Sequence, residues 1–124
     1  HSDLTEERYH ILSDHTMETM FENLDQWLDE RGDPSFDIDY ESGVLTLHLG
    51  EHGTYVMNKQ PPNKQIWLSS PFSGPARYDY VKKDDDWVYS RDGRSLETLL
   101  QTELKEATGH DVKLGLKGVS QQVG

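Results

Sequence analysis

The sequence predicts an α+β fold, a two-layer sandwich with two helices packed on one face of an antiparallel sheet of five to seven strands. Three observations carry it. A long stretch near the start repeats apolar residues every three or four positions, six short middle segments alternate apolar and polar residues between turn signals, and a second stretch of helical spacing follows them. At 124 residues the chain suits one domain, 1–124, and with 33% hydrophobic residues and a mean hydropathy of -0.83 its core must be lean.

The first helix is expected over about 5–31, where Tyr9, Leu12, Met17, Met20, Phe21, Leu24, Trp27 and Leu28 recur at steps of three and four. Gly32 and Pro34 end it. Over about 35–91 the segments FDIDY, VLTLHL, GTYVMN, KQIWLSS, ARYDY and DWVYS are separated by ESG, GEHG, QPPN, SGP and KKDDD, which reads as an antiparallel meander. A second helix is expected over about 95–108, capped by Ser95, with Glu97 in its first turn and Leu96, Leu99, Leu100, Leu104 and Ala107 on one face before Gly109. In the tail, 109–124, Leu114 and Leu116 are expected to pack over the helix ends, with the last few residues loose.

Charge is unevenly spread. Residues 1–41 hold 13 Asp or Glu against Arg8 and Arg31, whereas residues 42–124 hold 10 acids and 10 bases, so the first third carries the whole net charge of -11. Such a field repels nucleic acid and anionic membranes and attracts cations or a basic protein surface. The chain has no cysteine, which excludes disulfides, thiolate metal sites and cysteine nucleophiles. No run approaches the roughly 18 apolar residues of a membrane span. The acidic start, HSDLTEERYH, lacks the features of a targeting peptide.

On the first helix Asp14, Glu18, Glu22, Asp25 and Asp29 lie in one line along its solvent-facing shoulder, with no Lys or Arg interleaved. Asp37, Asp39 and Glu41 then share one face of the first strand, so an edge strand beside the helix would complete a ridge of carboxylates. Two readings stand: a solvated face with a guarded sheet edge, or a shallow site for hard cations with water completing the coordination. His10 and His15 read as exposed bystanders on the same helix.

Strand parity places Ile66 and Leu68 on one face of the fourth strand and Gln65, Trp67 and Ser69 on the other. Trp67 is thus sent out among Asn58, Gln60, Gln65 and Arg77, either as a protein-binding anchor or simply laid across Gln and Lys stems. Catalytic motifs are lacking: there is no glycine-rich phosphate loop, no GxSxG and no serine with an evident base, and Tyr78, Tyr80 and Tyr89 read as packing residues. No catalytic residue is assigned.

The block GTYVMNKQPPNKQIWLSSPFSGPARYDY, followed by WVYSRDGRSLETLL, closely resembles the core of the frataxin family, of fungal type. The resemblance runs from about Leu4 to Leu116 and includes the acidic first helix. It implies the frataxin fold and an iron-binding protein of the mitochondrial matrix that has lost a transit peptide and serves iron homeostasis. Such a protein joins the complex of cysteine desulfurase and iron-sulfur scaffold protein and activates cluster assembly by promoting sulfur transfer or iron delivery. The alternative it implies is a ferroxidase that oxidises Fe(II) and stores Fe(III) in oligomers, the iron-free protein being monomeric. Carried over residue by residue, the resemblance implies that iron (Fe2+ or Fe3+) is weakly held by Asp14, Glu18, Glu22, Asp25, Asp37 and Asp39, and that partners are bound by Asn58, Gln60, Trp67 and Arg77. Ile11, Leu12 and His15 stand where more acidic relatives often carry carboxylates, which lowers the expected iron load.

Overall fold

The computed structural model describes residues 4–123. Thr5 caps the first helix, α1 (Glu6–Arg31): its hydroxyl accepts from the Arg8 amide at 3.0 Å, and Glu6 and Glu7 sit where the helix dipole favours negative charge. Gly32 ends α1 in the left-handed conformation (φ 65°), with its amide on the Leu28 carbonyl.

Six strands follow: β1 (Phe36–Glu41), β2 (Val44–Leu49), β3 (Thr54–Gln60), β4 (Gln65–Ser70), β5 (Gly74–Val81) and β6 (Asp86–Tyr89). Each pairs antiparallel with the next, giving the spatial order β1-β2-β3-β4-β5-β6. Alternation along each strand sends Leu45, Leu47, Tyr55, Met57, Ile66, Leu68 and Tyr78 inward, all at most 2% exposed. Helix α2 (Leu96–Thr108), capped by Ser95 on the Thr98 amide, adds Leu96, Leu99, Leu100 and Leu104 to the same core as Leu12, Met17, Met20 and Leu24 of α1. Each such side chain contributes on the order of 1.5 to 3 kcal/mol by leaving water.

Leu114 and Leu116 pack inward as the sequence suggests, and the end expected to be loose is anchored as far as Val123, with Gly124 outside the described residues. Val112, Leu114 and Leu116 are buried, and the Glu97 carboxylate accepts from the amides of Leu114, Gly115 and Leu116 at 2.8, 3.1 and 2.8 Å. From α1, Asn23 and Trp27 donate to the carbonyls of Leu114 and Asp111. The final turn, α3 (Val119–Gln122), is held by Asp85, which accepts from the Ser120 amide and hydroxyl at 3.0 and 2.8 Å, and by His15 against Gln122 at 2.8 Å. These contacts offset the ordering entropy that modest apolar content would leave uncompensated.

Burial also reaches a carboxylate. Glu103 of α2, only 9% exposed, accepts from the hydroxyls of Tyr55 and Ser70 at 2.8 and 2.6 Å. Burial, then the adjoining Glu103 charge, pushes the Tyr55 phenol well above its ordinary range.

Candidate functional site

The structure places the carboxylates on two elements that touch. β1 is an edge strand, and α1 packs beside it with the Phe21 and Tyr40 rings 6.1 Å apart. The Tyr40 phenol is raised by burial and further by the charges of Asp14 and Glu18, so the line on α1 faces β1. Asp25, Asp29, Asp33 and Asp37 line one shallow cleft of about 250 Å³. Glu18, Glu22, Asp25, Asp37 and Asp39 are exposed. Even so, among the described residues no three His, Cys, Asp or Glu side chains converge on a point that could hold a metal ion.

Asp14 differs from the rest of the line. Lys59 reaches it from β3 at 2.5 Å while also contacting His10 Nδ1 at 2.9 Å. The lack of interleaved bases on α1 therefore does not mean an uncompensated line, because the sheet supplies a cation that the helix sequence lacks. His10 and His15 are likewise not exposed bystanders; both are half-buried, His10 against Lys59 and His15 against Gln122. Leu12 is 1% exposed and belongs to the core, so it is not a ridge position, whereas Ile11 is 42% exposed.

The outer sheet face is organised by register. Asn58, Trp67 and Arg77 are direct cross-strand partners on β3, β4 and β5, and Gln60, Gln65 and Asp79 form the adjacent row. The Arg77 guanidinium lies 4.8 Å from the centre of the Trp67 ring, and the indole N–H donates to Gln65 Oε1 at 2.8 Å. Gln65 in turn donates to Asp79 at 3.0 Å. Trp67 is half-buried by these neighbours rather than freely exposed, with its orientation set on two sides. Behind the face, the Tyr9 hydroxyl of α1 accepts from the Gln60 amide at 3.0 Å and donates to the Gln65 carbonyl at 2.7 Å, tying the ends of β3 and β4 to the helix layer.

All four residues expected to bind partners thus lie in two adjoining rows, and all six expected to hold iron lie on the α1–β1 edge. The two regions meet where Asp14, Tyr40, Asn58 and Lys59 line one hollow of about 290 Å³. Sequence reasoning missed Lys59 and Asp79. For Asp79 a signal was available, since it is two residues from Arg77 on the same strand face.

A family profile described as the frataxin-like domain matches residues 2–110. The chain belongs to the frataxin-like family. The mitochondrial frataxin of Arabidopsis thaliana is 44% identical over 111 residues, covering 90% of this chain and 59% of that protein. The mitochondrial frataxin homolog of Schizosaccharomyces pombe is 46% identical over 103 residues, covering 83% and 65%. The chain thus spans about three fifths of the length of these two relatives. Among solved structures, a trimeric frataxin from the yeast Saccharomyces cerevisiae, complexed with ferrous iron, is 40% identical with a TM-score of 0.57, covering 74% of this chain and 87% of that one. The frataxin fold expected from the sequence is the one observed, with six strands in the sheet.

Proposed function

We propose that this frataxin-family chain is a mitochondrial iron-binding accessory protein that docks through its Trp67 face onto the cysteine desulfurase and scaffold complex and activates iron-sulfur cluster assembly. The observation that carries the reading is the cross-strand row Asn58, Trp67 and Arg77, with the indole already oriented by Gln65 and Arg77. A preoriented aromatic flanked by Arg loses little entropy on docking, and residues of these types dominate binding energy at interfaces. The mitochondrial names of the relatives support the compartment.

Iron is cargo in this account. Hard Fe(III) and borderline Fe(II) both suit the carboxylates of Glu18, Glu22, Asp25, Asp37 and Asp39 on chemical grounds, whereas at Asp14 a cation competes with Lys59, which already holds one of its oxygens. With no three side chains convergent among the described residues, one or two carboxylates plus water would hold each ion, and affinity should be low. The test is the rate of cluster assembly on desulfurase plus scaffold, where Trp67→Ala should abolish stimulation and leave the thermal midpoint nearly unchanged. Full stimulation by that variant would overturn the reading.

A second reading, a ferroxidase that stores iron in oligomers, is favoured by one observation: the relative complexed with ferrous iron is trimeric. It predicts Fe(II)-dependent oxygen consumption that disappears in E18Q/E22Q/D25N. Unchanged oxidation in that variant counts against it.

A further inference from the structure

We propose that the chain carries a second binding site, a pocket for a small organic anion with an apolar body, where the start of α1, the β5–β6 turn and α3 meet. Its volume of about 490 Å³ is within the range that encloses a small ligand. Leu4 and Tyr80 supply apolar walls over the core residue Leu12, and Arg8, Lys82 and Lys83 supply the charge. Three cations on one pocket run against the net charge of -11. Among the described residues none of the three forms an ion pair with a carboxylate.

One carboxylate, that of Asp85, opposes an anion there. Its oxygens already accept from the Tyr80 hydroxyl at 2.5 Å and from the Ser120 amide and hydroxyl, so it is oriented toward β5 and α3 while keeping its negative charge. Setting it against the three bases leaves the lining with two net positive charges. The backbone that carries Lys82 and Lys83 is also fixed in advance. The turn is closed by the Asp84 and Asp85 amides on the carbonyls of Val81 and Lys82, both at 3.1 Å, and the Gly118 amide donates to the Asp85 carbonyl at 2.8 Å. Ser120 and Gln121 add hydrogen-bonding groups to the third wall. Such a lining fits a carboxylate or phosphate head at Arg8, Lys82 and Lys83 and a short aliphatic body against Leu4 and Tyr80. Trp67 and the acidic ridge are not part of it, so this site stands or falls separately from the docking function.

An amide NMR titration of the full chain with sodium hexanoate, hexanol or inorganic phosphate tests the site. Hexanoate should give saturable shifts at Arg8, Lys82, Ser120 and Gln121, about tenfold weaker in R8Q/K82Q/K83Q and unchanged in K105Q/K113Q. Hexanol binding as well as hexanoate, or equal weakening in both variants, would show that the pocket's cations do not select the ligand and overturns the proposal. Inorganic phosphate matching hexanoate overturns the apolar component. Should the triple variant lose a folded spectrum, a salt series on the native chain decides: affinity falling as salt is raised supports the site, and salt-independent or absent binding removes it.

Discussion

The acidic ridge and the tryptophan face occupy neighbouring surfaces, yet they are built in opposite ways. On the ridge Glu18, Glu22, Asp25, Asp37 and Asp39 share sign and exposure but no common point, so what they offer a partner is a field. On the face Asn58, Trp67 and Arg77 are fixed by strand register, and Gln65 and Asp79 extend the hydrogen bonding. What the face offers is a shape. Charge count and site geometry are therefore separate properties, and each should fail under different conditions.

The largest expected effect marks the contrast between a carboxylate with geometry and one without. Glu103→Ala leaves the Tyr55 and Ser70 hydroxyls without their acceptor and should cost about 3 kcal/mol of unfolding free energy, read by urea denaturation. Next, Arg77→Ala removes the cation over the indole and should weaken docking about tenfold in a binding titration, with little change in stability.

Smaller effects are expected on the ridge. E18Q/E22Q/D25N relieves repulsion along α1 and should raise stability by about 1 kcal/mol at low salt, a gain that shrinks as salt screens it. Stabilisation that persists at high salt would show that these side chains do more than repel. The smallest effect is pH-dependent. Burial pushes the Asp85 carboxyl up, but hydrogen bonds from Tyr80 and Ser120 outweigh it and hold the group below its ordinary 3.8. Its contribution is therefore present above that value and lost as pH falls through the lower folded value. The stability difference between native protein and Asp85→Asn should then vanish in strong acid; a constant difference would contradict the assigned role.

How much of this could be read from the sequence varies with the distance over which residues interact. Helix spacing from Tyr9 to Leu28, and the two-residue alternation around Ile66, Trp67 and Leu68, are local patterns, and both faces follow from them. The pairings that tune the site are not local. Lys59 meets Asp14 across 45 residues and Asp85 meets Ser120 across 35, and no periodicity connects such positions. The anchored end of the tail escaped notice because it is held by Asp85 and His15, polar side chains that lie 35 and 107 residues from Ser120 and Gln122. Glu103 did leave a trace, as a lone acid inside the apolar stripe of Leu99, Leu100 and Leu104, where a carboxylate must find buried donors.

The most direct test compares affinity for the desulfurase and scaffold complex among native protein, Trp67→Ala and E18Q/E22Q/D25N, at low and high salt. The account predicts that Trp67→Ala binds about thirtyfold more weakly at both salt concentrations, whereas the ridge variant is impaired at low salt and converges on native protein at high salt. Native affinity for Trp67→Ala, together with a ridge defect that survives high salt, would contradict it and place docking on the carboxylates.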